Sequence, residues 1–173
     1  MAIFLSTKRL ILTTPKLEDL DEVFELQSDP EVMRYIGDGV RTKAMVATFL
    51  NMAIEHYAKH GFSFFSVREK DTNHFIGQAG LIYLGYDDNQ PQIEVGYRLH
   101  SRYWGKSYAT ELTSALIKWG FDNLNIPTLM AVVEPNNVAS YKVLLKAGMI
   151  NTGTTTYWNR EVTCFEIKNY KLK

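Results

Sequence analysis

The run His100-Ser-Arg-Tyr-Trp-Gly-Lys-Ser-Tyr-Ala109 sits between a strand-patterned segment, Ile93 to Leu99, and a helical one opening at Tyr108. A helix N-terminus leaves its first N–H groups without intrahelical acceptors and presents the positive end of the helix dipole, so phosphate binds well there. Gly105 lets the backbone approach an anion closely, and the small Ser107 and Ala109 keep the helix start uncrowded. Arg102 and Lys106 add positive charge. A glycine before a helix is also an ordinary turn, so the run allows a phosphate site without requiring one.

Spacing removes two nucleotide-binding alternatives. Gly105-Lys106-Ser107 looks like the end of a P-loop, but that motif needs glycine where His100 stands. The dinucleotide fingerprint G-x-G-x-x-G fails at Ser107 and Thr110, which occupy its second and third glycine places. His56 and His60 are four apart on one helix, yet Tyr57 stands where H-E-x-x-H needs its glutamate, so they read as two surface histidines and no metal is expected. Cys164, the one cysteine, lies in the alternating run Glu161 to Ile167 and reads as a small apolar residue in a sheet.

The elements that must position these residues follow from hydrophobic period. Ile3 to Thr13 reads as a strand, and Pro15 then opens a helix carrying Leu17, Leu20, Phe24 and Gln27 along one side. A short helix spans about Pro30 to Ile36. Thr42 caps a longer one with Met45, Phe49, Met52 or Ala53, and Tyr57 on its apolar face, stopped by Gly61. Phe62 to Arg68 and Phe75 to Leu84 form a hairpin. Ile93 to Leu99 is a strand, Tyr108 to Phe121 a helix, Thr128 to Val133 a strand and Val138 to Ala147 a helix stopped at Gly148. A last hairpin turns near Asn159-Arg160. The strand–helix–strand portion favours parallel neighbours with a right-handed crossover, and hairpins on both sides make the sheet mixed. One α/β (α+β) domain over residues 1–173 is expected.

The whole pattern resembles the GNAT superfamily of N-acetyltransferases. Its Q/R-x-x-G-x-G/A signature at the coenzyme A pyrophosphate is met by Arg102, Gly105 and Ser107, with serine a mild departure at the last place. The segment Glu134-Pro-Asn-Asn137-Val-Ala-Ser140 through Lys146-Ala-Gly148 is similar to the family's following strand-to-helix segment. Thr7-Lys-Arg9-Leu10, Asp29-Pro-Glu-Val-Met-Arg-Tyr-Ile-Gly37 and Ile93-Glu94-Val-Gly96-Tyr97 resemble the RimJ/RimL-type branch, the ribosomal-protein N-terminal acetyltransferases. The resemblance implies a single-domain fold whose central parallel strands, Ile93 to Leu99 and Thr128 to Val133, splay to hold acetyl-CoA as cosubstrate. It implies that the pyrophosphate is held by Arg102 and by Gly105, Lys106, Ser107, Tyr108 and Ala109. Main-chain groups of Tyr97, Arg98 and Leu99 would pair with the pantetheine arm as an added strand does, and Asn137 would bond the arm or a neighbouring backbone group.

Acetyl transfer to an amine needs a neutral amine, a donor for the oxyanion and relief for the departing thiolate. Glu94 is the candidate base, acting through water; it shares one strand face with Gly96 and Arg98, and an exposed ion pair with Arg98 is the plain alternative. Many members carry a tyrosine seven residues after the position of Asn137, where this chain has Leu144. The resembling branch assigns the thiolate contact to a serine, and Ser140 stands at its place; Tyr141, one position on, reads as core. The expected reaction is direct attack by a primary amine in a ternary complex.

Likeness to the branch puts a peptide N-terminal α-amine first as acceptor, with small amines such as polyamines or aminoglycosides second and a non-catalytic coenzyme A-binding regulator third. Asp29, Glu31, Asp38, Asp87 and Asp88 would favour a cationic acceptor unless they are simply solvated loop acids. Nineteen Lys and Arg balance nineteen Asp and Glu, which leaves no strongly basic footprint for nucleic acid. No run approaches the roughly 20 apolar residues of a membrane span, and no signal peptide is visible, so a cytoplasmic monomer or homodimer is expected.

Overall fold

In the computed structural model, which describes residues 2–172, eight strands form one sheet in the order β1-β2-β3-β4-β5-β6-β8-β7. The strands are β1 (Ile3–Ser6), β2 (Leu10–Thr13), β3 (Phe64–Glu69), β4 (Phe75–Tyr83), β5 (Ile93–Leu99), β6 (Thr128–Val133), β7 (Ile150–Tyr157) and β8 (Arg160–Lys168). The helices are α1 (Leu20–Gln27), α2 (Pro30–Met33), α3 (Lys43–His60), α4 (Tyr108–Asn123) and α5 (Val138–Lys146). Every pairing is antiparallel except β5 with β6. That one parallel pair is the crossover made through α4.

Period-2 alternation divides the sheet's side chains between two layers. Val67, Leu81, Val95, Leu129 and Ala131 join Leu112 and Leu116 of α4 and Leu144 of α5 in the main core. On the opposite face α1 to α3 bury their own cluster, including Val23, Leu26, Val46 and Leu50. A smaller cluster of Phe49, Phe64 and Ile82 lies beside the cleft described below.

Several elements differ from the sequence reading for local reasons. Ile3 to Thr13 is two strands: the Thr7 hydroxyl accepts from Leu10 N–H at 3.1 Å and closes a turn between them. Gly61 adopts φ 76 and stops α3, but β3 starts at Phe64 because Phe62 accepts from the preceding helix instead. Along α3 the buried stripe is Val46, Phe49, Leu50, Ala53 and His56, whereas Met45 and Met52 stay exposed on the side that faces the cleft.

His56 is therefore buried and the surface assignment fails. Its Nδ1 pairs with the Phe62 carbonyl at 2.8 Å and its Nε2 accepts from Tyr83 N–H at 3.2 Å, which selects the neutral tautomer with the proton on Nδ1. Burial accordingly holds its pKa below the usual histidine value. His60 remains near the surface, 3.0 Å from Asp88.

Candidate active site

β5 and β6 share one Cα register pair, Glu94 with Met130. From Val95 onward β5 still pairs with β4, through Tyr97 with Ala79 and Leu99 with Gly77, but loses its β6 partner. Two parallel strands that part in this way leave the free edge of β5 lining an opening. The opening belongs to a cleft of about 560 Å³ bounded by β5, the end of β6, the start of α5, α3 and the β7–β8 turn.

At the C-terminal end of β5 the chain makes a 3-10 turn at Ser101–Tyr103 and enters α4. Gly105 and Ser107 both lie in the left-handed region, at φ 74 and φ 62, and a Cβ on Gly105 would meet nothing within 4 Å. Ser107 makes no capping bond with its side chain. The N–H groups from Gly105 to Thr110 consequently have no protein acceptor among the described residues. Such a bent row of donors has the geometry that can cradle an anion.

The cradle is anchored from the far edge of the sheet. Arg9 donates through Nη1 to the Lys106 carbonyl at 2.9 Å and through Nε to Glu111 at 2.7 Å, and its guanidinium lies 4.4 Å from the Tyr108 ring centre. Thr7 donates to the same carboxylate at 2.6 Å, while the Tyr108 hydroxyl donates to Glu69 at 2.6 Å. Lys106 Nζ sits 5.1 Å from the Tyr103 ring centre, beside the cradle. Arg102 turns away toward Glu25, 3.8 Å off, and is exposed.

Inside the cleft, Glu94 projects from β5 with no ion-pair partner among the described residues; Arg98, four residues on, is not within bonding distance. Burial raises the Glu94 carboxyl to about 7, with Arg98 pulling weakly the other way. Gly96 lies between them on the same face, where a Cβ would press on Phe64 Cε2 at 3.2 Å. Its missing side chain keeps the cleft floor open.

The start of α5 forms the other wall. Asn137 is the N-cap, its Oδ1 accepting from Ser140 N–H at 3.2 Å. The Ser140 hydroxyl is 2.8 Å from the hydroxyl of Tyr97, whose ring crosses from β5. Leu144 is buried on the next turn, and Tyr141 packs edge-on to Phe165 with ring centres 4.9 Å apart, as its core assignment required.

Comparison with known proteins supplies the family. The acetyltransferase (GNAT) domain model matches residues 9–150. The chain belongs to the GNAT acetyltransferase family. It is 31% identical to the Bacillus subtilis (strain 168) protein YkkB, with 96% of each chain covered. It is 34% identical to the N-acetyltransferase p20 of Bacillus licheniformis over 81% of this chain and 78% of that one. The crystal structure of a GNAT-family acetyltransferase from Bacillus anthracis superposes with a TM-score of 0.81 at 26% identity, covering 98% and 99% of the two chains. This GNAT chain is thus an N-acetyltransferase with the expected mixed sheet and splayed central pair.

The GNAT fold brings Glu94, Tyr97, Arg98, Asn137 and Ser140 to one cleft, while Leu99 is buried and Arg102 to Ala109 lie beyond it at the strand's end. Sequence reasoning missed four contributors. The Tyr97 hydroxyl is invisible from sequence because the resemblance gives that residue a main-chain role alone, and its bond to Ser140 joins positions 43 apart. Arg9 carried a family match but no hint that it reaches Lys106, 97 positions away. Arg41 and Tyr86, from the α2–α3 loop and the β4–β5 loop, also line the cleft, and nothing in their spacing pairs them with β5. None of the five loop acids lines it: Asp29 caps α2 through Glu31 N–H, Asp88 pairs with Lys59, and Asp38 acts on the cleft only through its charge near Arg41.

Proposed function

We propose that this enzyme binds acetyl-CoA with its pyrophosphate on the donors of Gly105 to Thr110 and transfers the acetyl group to a primary amine, foremost the α-amine of a peptide. The single observation carrying the reading is that unsatisfied row of N–H groups where β5 and β6 part. Three features of the chain fit the cosubstrate: donors for phosphate, open space above Gly105, and a β5 edge at Tyr97 to Leu99 free to pair with the pantetheine arm. Acetyl-CoA supplies an activated thioester; the rest falls to the protein.

Glu94 takes the amine proton, directly or through one water. A carboxyl near 7 is matched to an α-amine of about 7.7–8.0, whereas a lysine amine near 10.4 would need a stronger base. Ser140, bonded to Tyr97, donates to the departing sulfur, and Tyr97 can restore the serine proton. A thiol with a pKa of about 8.5 already gives a tolerable leaving group, so a hydrogen bond is enough. Asn137 holds α5 so that Ser140 faces the slot. Polyamines and aminoglycosides fit less well, because the cleft's unpaired charges include two arginines.

The experiment is an acetylation screen reading thiol release with peptides, polyamines and aminoglycosides. Consumption of peptides by the wild type and its loss in Glu94→Gln supports the reading. Tight acetyl-CoA binding with no acceptor consumed would favour a non-catalytic regulator.

A further inference from the structure

The buried side-chain polar atoms without a partner among the described residues all lie in one region: Nε and Nη1 of Arg98 and the hydroxyl of Tyr86. Both side chains line the cleft on the face away from the main core. Buried polar groups are nearly always satisfied, and an unpaired guanidinium is among the costliest exceptions. The arginine ion pairs among the described residues belong to Arg9, Arg68 and Arg102, so Arg41 and Arg98 have none.

Arg41 stands close by. Its guanidinium and that of Arg98 each lie 5.1 Å from the centre of the Phe49 ring, which bounds their separation at twice that distance. Arg41 is held in place by a bond to Gln27 Oε1 at 2.8 Å, and Gln27 in turn bonds Gln78, the β4 partner of Arg98. Two fixed like charges over one ring repel unless an anion lies between them. Burial lowers Arg98 to about 9, and the charge on Arg41 lowers it further, with Tyr86 and Glu94 pulling the other way.

We propose that Arg98, Arg41 and the Tyr86 hydroxyl form a subsite for a carboxylate carried by the amine acceptor. The proposal rests on reading this cleft as the acceptor site. Arg98 follows Glu94 by four residues on one strand face, roughly 13 Å at about 3.3 Å per residue, less the reach of two side chains. Gly96 leaves the floor between them clear, and Phe49, Phe64 and Ile82 line it with apolar surface. A short acceptor lying along β5 therefore places its amine at Glu94 and its carboxylate at Arg98, with an apolar body between.

Binding tests the subsite apart from catalysis. Titration of the full chain with 3-phenylpropanoate and with 3-phenylpropanamide, read by tryptophan fluorescence (Trp158 lines the cleft), is expected to show the acid binding at least tenfold tighter. That preference should vanish in Arg98→Gln. Equal affinity, no binding of either, or a preference that survives Arg98→Gln overturns the proposal. Phenyl phosphate in the same titration separates the anion classes: Arg98-dependent binding of phosphate without carboxylate binding also overturns it. Thiol release with dipeptides and their C-terminal amides gives the kinetic arm, where the acid should be preferred at least tenfold in kcat/KM. An intact binding preference with no acetylation of any amine would count against the proposed function and leave the carboxylate site standing.

Discussion

The hydroxyl of Tyr97 lies 2.8 Å from Oγ of Ser140, joining β5 to the first turn of α5 across the slot where the central strands part. Burial raises the tyrosine's pKa and the serine bond opposes this, so Tyr97 holds its proton at neutral pH and can pass it to serine.

If the pair serves the departing thiolate, Ser140→Ala should lower kcat by about 10–100-fold, less than the roughly 100–1000-fold of an oxyanion donor because a thiolate needs less stabilising. Tyr97→Phe should cost less, and the double variant should be no slower than Ser140→Ala, because the two act as one chain. Steady-state kinetics with saturating acetyl-CoA reads this. Additive losses would separate their roles.

Gly105→Val introduces a β-branched side chain at φ 74 into the space the phosphates would fill. Acetyl-CoA affinity measured by calorimetry should fall at least tenfold, with an additional loss of about 1–3 kcal/mol in stability from the strained backbone. Unchanged affinity would remove this loop as the donor site.

Glu94 carries a raised carboxyl, so as a base it is inactive below about pH 7 and competent above it. The kcat/KM profile should rise through that pH, and Glu94→Gln should lower kcat/KM and leave only the acceptor amine's own titration. The stability sign is opposite to the catalytic one. Because the folded state binds the proton more tightly than the unfolded chain, this group costs stability as pH rises from about 4.5 toward 7. Thermal melts should therefore find Glu94→Gln more stabilised at pH 8 than at pH 5.

Arg9→Ala removes the strut under the Lys106 carbonyl and leaves Glu111 with Thr7 and a backbone N–H. KM for acetyl-CoA should rise severalfold with kcat little changed, since the cradle loosens and the catalytic wall does not. Stability should fall by about 1 kcal/mol, the half-exposed arginine giving less than a buried pair.

Arg98→Met should raise the unfolding free energy by about 1–2 kcal/mol in urea titrations, because it replaces an unpaired buried charge by an apolar chain of similar length. Loss of stability on this substitution would instead make Arg98 a packing residue.

Much of the fold was legible because its signals are local. Gly61 ended α3 and Gly148 followed α5, each with positive φ, and the alternation of Ile93 to Leu99 placed Glu94, Gly96 and Arg98 on one face. Local signals failed where a side chain rather than the period decided. Thr7 broke the first strand in two, and His56 was drawn inside by the Phe62 carbonyl and the Tyr83 amide.

The resemblance of the segments around Arg102, Gly105 and Ser107 and around Asn137 and Ser140 pointed to the acetyl donor from sequence by itself, because each motif is confined to one local strand–helix junction, β5–α4 and β6–α5. Tertiary structure alone decided the character of the cleft. Arg41, Tyr86 and Arg98 come from three separate stretches of chain, and only their convergence on Phe49 leaves two arginines without counterions. Residue order offered only loop acids that solvation explains as well, because burial and the absence of a partner are properties of packed neighbours, not of residue order.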